Sequence, residues 1–459
     1  MLDRFVEHLE TSGLWPTGET VVVGYSGGAD STCLVHLAHR AGLRLIAAHL
    51  HHGMRPEADR EQKLAEAWCA ELDIPFATGR ADVPGLARDF RIGLEEAGRR
   101  ARQEFLQQAM FRLGGHRIAT AHTLDDQVET VVFRMARGTG LQGLGGIAPV
   151  RDVWIRPLLP FSRTETRQYC ADQGLWFHDD PSNSDVQFAR ARIRLRVVPE
   201  LEAIHPDAKA AIQRLARLAR EEDACLDGMA AAALEQAELP LNGDFRFLTR
   251  DCEVALRRAS WVAMPLVLRR RAVRLVTEVL GAQVDFEWVQ SLSEALASDG
   301  AGSRTAEGGD VLWEWTEDRV HVRQQRPTEN FRYPLTLPGE TFADEFGWVL
   351  TALPCEPTSF ERPPRSWDVV VDRAAIQGSL YFRSAQEGDR MQPLGLDGTK
   401  LLSDMLREAG LTAAARRRIP VVCDLVGPIW VPGVGVSDRV RVQSGTSNGL
   451  NLRFGPIPE

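Results

Sequence analysis

The first 160 residues alternate short apolar segments with longer amphipathic ones, and this alternation constrains the fold more than any other feature. β-Branched, apolar stretches predict strands at 20–25, 43–50, 74–78 and 117–121. Helical spacing of apolar residues predicts helices at 31–41, 62–72, 94–113 and 128–137. Buried strands that alternate with amphipathic helices are typical of a parallel, doubly wound α/β sheet.

The remaining sequence changes character twice. At 459 residues the chain has room for about three domains of roughly 150 residues. Helical periodicity at 208–226, 254–280 and 286–296 predicts a helical second domain. Prolines then separate short strand-like segments such as 369–371, 380–383 and 421–425, which predicts a small α+β domain. We therefore predict domains at 1–200, 201–326 and 327–459.

Several classes of protein are excluded by composition. No apolar stretch of about 18 residues is present, so a transmembrane helix is not expected. The first residues contain no apolar signal core, and we expect a cytoplasmic protein. The seven cysteines are scattered without a CxxC pair, which argues against a disulfide scaffold or a cysteine zinc site.

The net charge of −9 argues at first against a nucleic-acid partner. The charge is uneven, however, because residues 1–200 carry −2, residues 201–330 carry −6 and residues 331–459 carry −1. Only three lysines are present, so nearly all the positive charge is arginine. Arginine suits phosphate because its guanidinium is forked and permanently charged. We therefore expect any RNA to bind localised arginine patches.

A glycine-containing loop follows the first predicted strand and opens a predicted helix. Its residues are Ser26, Gly27, Gly28, Ala29, Asp30 and Ser31. Glycines allow close backbone approach, and a helix N-terminus offers unpaired N–H groups to a phosphate. Asp30 would repel a phosphate unless a divalent cation lay between them, which implies Mg²⁺. The alternative is an ordinary glycine turn with a Ser/Asp helix cap.

A carboxylate cluster follows the fourth predicted strand. Asp125, Asp126 and Glu129 have spacings of three and four residues, which place Glu129 on the same helical face as the two aspartates. Clustered carboxylates suit a magnesium ion or a substrate ammonium group. The alternative is a capped, solvated first helical turn. Ligands of open α/β sheets gather at the carboxyl ends of strands, which favours a functional role.

Two arginine groups are candidate contacts to a substrate or to RNA. Arg99 and Arg102 share one helical face with Glu95, although the spacing alone favours an exposed, salt-bridged helix face. Arg190, Arg192 and Arg194 alternate with apolar residues, and this density suits phosphate contact whether the segment is strand or helix. The histidines at 49, 51 and 52 are weak evidence for a metal site, and we do not expect zinc.

The hexapeptide 26–31 resembles the PP-loop of the N-type ATP pyrophosphatases. Within that superfamily the chain resembles the long-form tRNA(Ile)-lysidine synthetase family along its whole length. The matching segments are 49–55 (HLHHGMR), 95–102 (EEAGRRAR), 121–130 (AHTLDDQVET), 137–144 (RGTGLQGL), 156–159 (RPLL), 180–183 (DPSN), 383–395 and 416–420. Ala191 stands where the family usually has asparagine after the arginine.

The resemblance implies a specific ligase reaction. ATP would bind at Ser26–Ser31, with catalytic roles for Asp30, Asp126 and Glu129, the last two holding the amino groups of free L-lysine. The wobble cytidine of the CAU anticodon of an isoleucine tRNA would be flipped out and adenylated. Lysine would then displace AMP at carbon 2, changing codon specificity from AUG to AUA. Whether the protein forms a homodimer stays open, and no membrane partner is expected.

Two other functions stay open. tRNA thiolation or small-molecule amidation would use the same superfamily chemistry. Thiolation generally needs paired cysteines or an iron–sulfur cluster, and no suitable cysteine spacing is present. A non-catalytic nucleotide- or RNA-binding module would not need the carboxylates Asp30, Asp126 and Glu129.

Overall fold

The chain forms two compact units, Met1–Ala224 and Cys225–Glu459. The structure, a computed structural model, describes residues 1–51, 53, 58–178, 189–306, 308–325, 330–356 and 367–457. The predicted division at residues 200 and 326 stays a prediction. Parts of two family-like segments, His52 with residues 54–55 and residues 180–183, lie outside the described residues.

A six-stranded sheet in the order β3-β2-β1-β4-β6-β5 forms the centre of the first unit. All neighbouring pairs are parallel except β5 with β6, which confirms the predicted parallel sheet. The strands are β1 (Val21–Gly24), β2 (Leu45–His51), β3 (Phe76–Arg80), β4 (Arg117–Ala119), β5 (Val150–Arg151) and β6 (Trp154–Ile155).

Helices connect these strands and extend beyond them. They are α1 (Leu2–Ser12), α2 (Ala29–Arg40), α3 (Ala58–Glu71), α4 (Val83–Phe90), α5 (Leu94–Arg112), α6 (Leu124–Ala136), α7 (Leu141–Leu144), α8 (Arg163–Asp172), α9 (Ala189–Arg192), α10 (Val198–Ile204) and α11 (Ala208–Ala237). A π-helical turn, Ile193–Val197, joins α9 to α10.

The sheet is covered on both faces because successive side chains of a strand point to opposite sides. Val21 and Val23 of β1 belong to one core with residues of α1, α2 and α8. Val22 belongs to a second core with Leu106 and Met110 of α5. All three valines are fully buried, as expected for a central parallel strand. The fold is therefore doubly wound, as predicted.

Residues 225–325 contain the helix predicted at 286–296, part of the helix predicted at 254–280, and a five-stranded antiparallel sheet that the sequence did not indicate. The strands pair in the order β7-β8-β11-β10-β9. The elements are β7 (Glu238–Leu239), β8 (Glu253–Arg257), α12 (Arg258–Ala263), α13 (Leu266–Val279), α14 (Phe286–Ala295), β9 (Gly302–Thr305), β10 (Val311–Trp315) and β11 (Arg319–Gln324).

The single helix predicted at 254–280 is wrong. Its first residues form β8, which pairs with β7 and β11. Pro265 then separates α12 from α13, because proline lacks the N–H that a continuous helix requires there. Burial against the sheet has outweighed the helical spacing of this segment.

The rest of the second unit mixes strands and short helices, as predicted for an α+β region. The described elements are β12 (Arg332–Pro334), β13 (Gly339–Ala343), β14 (Trp348–Cys355), β15 (Asp368–Asp372), β16 (Tyr381–Arg383), β17 (Arg390–Met391), β18 (Lys400–Leu401), α15 (Leu402–Glu408), α16 (Ala413–Arg418), β19 (Val421–Cys423), β20 (Pro428–Val431), β21 (Gly435–Val436) and β22 (Gly449–Pro456). Trp348, Phe382 and Trp430 lie in its core.

Among the described residues, no helix is both long enough and apolar enough to cross a membrane.

Candidate active site

The glycine-containing loop runs from the end of β1 to the N-terminus of α2. Gly27 has a φ of +81°, and Gly28 is the N-cap of α2. The Ser31 hydroxyl donates to the Gly28 carbonyl at 3.0 Å and accepts from the Ser26 amide at 3.2 Å. These bonds curl the loop around the start of α2, where the first N–H groups have no partner within the helix. The arrangement is that of an anion site at a helix N-terminus.

A cleft of about 380 Å³ lies beside this loop, at the carboxyl ends of the parallel strands. The apolar residues of its lining include Ala48, Leu50, Phe105 and Leu106. The titratable residues of its lining include Asp30, Arg102, His122, Asp126, Arg163, Arg167, His178 and Arg194. The cleft therefore combines a surface for a flat apolar group with groups suited to phosphates and an ammonium.

Asp30 lies in the first turn of α2, next to the loop. Its Oδ1 accepts a hydrogen bond from the hydroxyl of Thr166, which is fully buried, and its Oδ2 lies 3.6 Å from Nε of Arg163. Burial raises the pKa of Asp30 above its ordinary value, although Thr166 and Arg163 act in the opposite direction. An added cation would stabilise the ionised carboxylate.

Asp126 and Glu129 converge on the same guanidinium. Nη2 of Arg163 lies 2.8 Å from Oδ1 of Asp126, and Nη1 lies 3.2 Å from Oε1 of Glu129. The other oxygen of Asp126 accepts from the backbone N–H and the hydroxyl of Thr123, which closes a capping box at the start of α6. The predicted carboxylates are therefore brought together with Asp30, around an arginine.

Asp125 lies apart from this cluster. Its Oδ2 accepts the backbone N–H of Arg163 at 2.7 Å, and its Oδ1 lies 3.1 Å from Nζ of Lys209. Burial alone would raise the pKa of Asp125, but these hydrogen bonds and the ammonium lower it overall. Asp125 thus ties α6 to α8 and α11 and does not line the cleft.

The predicted arginines divide between the cleft and the surface. Arg102 and Arg194 line the cleft, whereas Arg99 is exposed and is not among the lining residues. Arg190 and Arg192 are exposed on α9, so the alternating segment is helical rather than a strand. Ala191, which replaces the usual asparagine, is buried.

Two of the three histidines, His49 and His51, lie within the described residues and have partners in the fold. Nδ1 of His49 bonds to the Tyr25 carbonyl at 2.9 Å, and burial lowers the pKa of His49. Nε2 of His51 lies 3.1 Å from Asp59. Across the described ranges, no group of three or more His, Cys, Asp or Glu residues could hold a metal ion.

Sequence reasoning missed four residues of the site, Arg163, Thr166, Arg167 and His178. Ser162 and Glu165 form a capping box, a pattern that marks a helix start from sequence alone and would have placed Arg163 and Thr166 in the first turn of α8. His178 donates its backbone N–H to the Gly27 carbonyl at 3.0 Å, a contact that no local pattern reveals.

The chain is similar to known proteins along nearly its full length. Residues 2–201 match the family model of the PP-loop domain, and residues 379–452 match that of the TilS substrate C-terminal domain. A tRNA(Ile)-lysidine synthase of Symbiobacterium thermophilum is 32% identical and covers 100% of this chain and 98% of its own length. Those of Geobacter sulfurreducens and Dehalococcoides mccartyi are 30% and 28% identical, covering 95% and 99% of this chain and 93% and 99% of their own lengths.

The first unit is thus a PP-loop domain, the ATP-using class that its loop, sheet and cleft define. The match along nearly the full length of these relatives is more specific. The chain belongs to the tRNA(Ile)-lysidine synthase family and is an ATP-dependent ligase. The resemblance stated from the sequence is confirmed, including the additional C-terminal domain.

Proposed function

We propose that the protein ligates L-lysine to carbon 2 of the wobble cytidine in the CAU anticodon of an isoleucine tRNA. The observation that carries this proposal is the shared cleft, which joins the loop at Ser26–Ser31 to the side chains of Asp30, Asp126 and Arg163. Such a cleft can hold ATP phosphates at one end and a substrate ammonium at the other. The modified tRNA would read the codon AUA instead of AUG.

In the first step the C2 carbonyl oxygen of a flipped-out cytidine attacks the α-phosphorus of ATP, and pyrophosphate leaves. The amides at the start of α2 bind the phosphates, and Asp30 would hold Mg²⁺ against them. A Mg²⁺ ion held there would neutralise the negative charge that grows on the leaving pyrophosphate. The carboxylate oxygens of Asp30, in the first turn of α2, are the hard donors that this ion prefers.

In the second step the ε-amine of lysine attacks C2 and AMP leaves. Adenylation turns a poor leaving oxygen into a good one, but the attacking amine must be neutral. We assign Asp126 and Glu129 to binding the lysine ammonium groups, with Asp126 placed to accept a proton. Arg102, Arg190, Arg192 and Arg194 are assigned to tRNA or nucleotide contact. Arg99, exposed on α5 outside the cleft, is assigned to the tRNA backbone.

The test is incorporation of labelled lysine into isoleucine tRNA, with Asp30→Ala as the variant. We expect Asp30→Ala to abolish ATP-dependent incorporation while leaving the thermal midpoint close to that of the wild type. Unchanged incorporation would refute the assignment of the phosphate and Mg²⁺ site.

A thiolation reaction is less well supported. Among the described residues that line the cleft, none is a cysteine. The thiols of Cys33, Cys69, Cys170, Cys252 and Cys423 are buried, and that of Cys170 donates to the Ala29 carbonyl at 3.4 Å. The described lining of the cleft therefore offers no cysteine as a sulfur nucleophile.

A further inference from the structure

Glu129 is buried, with 3% of its surface exposed, and both of its carboxylate oxygens are already bound. Nε of Arg194 lies 2.7 Å from Oε1, and Nη2 of Arg194 donates to Oε2 at 3.1 Å. Arg163 contacts Oε1 from the other side. A lysine ammonium that used Glu129 would have to replace one of these guanidinium groups.

Arg163 is the fixed partner of the two. It contacts three carboxylates, its backbone N–H is held by Asp125, and it stands directly after the capping residue Ser162. Displacing Arg163 would break the whole cluster and leave buried negative charges without a cation, which is costly.

Arg194 differs from Arg163 in the segment of the chain that carries it. It lies in the π-helical turn Ile193–Val197, a conformation that is rare and occurs often at functional sites. Its neighbours Arg190, Arg192 and Arg196 are exposed, so the segment presents several guanidinium groups to solvent. A phosphate backbone that bound this segment would compete with Glu129 for Arg194, because guanidinium binds both anions in the same forked geometry.

We propose that the Arg194–Glu129 ion pair is a latch that keeps the lysine site closed until tRNA binds. The tRNA phosphates draw Arg194 away, and Glu129 then becomes available to the lysine ammonium. Arg194 acts here as a positioning residue, through Glu129. The latch rests on the proposed function, since it assumes that Glu129 binds lysine. It predicts that tRNA and lysine strengthen each other's binding by the same factor.

The experiment measures the binding of labelled L-lysine by equilibrium dialysis, with and without isoleucine tRNA and with no ATP present. We expect tRNA to tighten lysine binding to the wild type by about tenfold. Arg194→Gln should bind lysine about tenfold more tightly than the wild type when tRNA is absent, and tRNA should add little more. Arg194→Lys, which keeps the charge, should retain the response to tRNA.

Arg217→Gln is the matched control, because it removes an exposed arginine that pairs with Glu221 on the surface of α11. It should bind lysine as the wild type does. The latch is overturned if Arg194→Gln gains no lysine affinity over the wild type, or if tRNA leaves the lysine affinity of the wild type unchanged. The wild-type comparison is informative even if Arg194→Gln folds poorly.

Glu129→Gln in the Arg194→Gln background separates the two hypotheses. Loss of lysine binding in this double variant supports Glu129 as the lysine site. If the double variant binds lysine as tightly as Arg194→Gln does, the assignment of Glu129 in the proposed function is wrong. If Glu129→Gln abolishes binding but Arg194→Gln matches the wild type, only the latch is wrong.

Discussion

Asp125 and Asp126 are adjacent and identical in type, yet the structure gives them different tasks. Asp126 faces the cleft, whereas Asp125 bonds to the backbone of Arg163 and to Lys209. We therefore expect Asp126→Asn to lower kcat/KM for lysine and Asp125→Asn to lower the free energy of unfolding. The two substitutions remove the same charge and keep nearly the same shape, so each is the control for the other.

The magnitudes follow from the bonds that are lost. In the role proposed for Asp126, Asp126→Asn loses a charged contact to lysine of about 3 kcal/mol, which would lower kcat/KM for lysine about 150-fold. The substitution also removes the ion pair with Arg163. Asp125→Asn keeps an oxygen for the Arg163 N–H but loses the ion pair with Lys209. We expect a loss of about 1–2 kcal/mol in the free energy of unfolding, or about 2–8 °C in the melting midpoint.

The assay is lysine-dependent pyrophosphate release at saturating ATP and tRNA, together with a thermal melt of each variant. Asp125→Asn should keep kcat/KM for lysine within about threefold of the wild type. Equal losses of kcat/KM for lysine in the two variants would contradict these separate roles. Wild-type kinetics of Asp126→Asn would contradict them as well.

Three further predictions follow. Arg163→Gln removes a cation that opposes the raised pKa of Asp30, so this carboxyl should protonate at higher pH and the acidic limb of the pH–rate profile should move to higher pH; an unmoved limb would contradict this. Gly27→Ala adds a Cβ at positive φ, 3.2 Å from Nδ1 of His178, and should raise the KM for ATP about tenfold; Gly13→Ala, with positive φ but open space, should leave that KM unchanged. In the second unit, burial alone would raise the pKa of Glu253, but its hydrogen bonds from His321, Thr412 and Asn242 lower it from 4.5 to about 2. The ionised Glu253 therefore stabilises the folded state by about 3 kcal/mol, fully above pH 4.5, and this stabilisation is lost as the pH falls towards 2. The difference in melting midpoint between the wild type and Glu253→Gln should shrink over that range.

Much of the first unit was predictable because its signals are local. The valines of β1, the glycines of the loop and the helical spacing of α2 lie within about 20 residues of sequence. The sheet at 238–324 was not predictable in this way. The pairing of β8 with β11 joins residues more than sixty positions apart, and the helical spacing of 254–280 gave no indication of it.

The candidate site shows the same limit. The carboxylates Asp30, Asp126 and Glu129 were found from motifs at strand ends, and the structure brings them together. Their common partner Arg163 comes from the first turn of α8, and it meets the three carboxylates only once the sheet and its helices are assembled. Arg194 was predicted as a phosphate contact, and its pairing with Glu129 is a long-range feature of the fold.

The central claim is that this cleft joins lysine to a tRNA cytidine, and the most direct test is mass spectrometry of the nucleosides. The protein is incubated with ATP, Mg²⁺, L-lysine and isoleucine tRNA bearing a CAU anticodon, and the tRNA is then digested. We predict a nucleoside with the mass of cytidine plus lysine minus water, located at the wobble position and absent when ATP or lysine is omitted. A wobble cytidine of unchanged mass, under conditions where the protein is folded and binds ATP, would contradict the account.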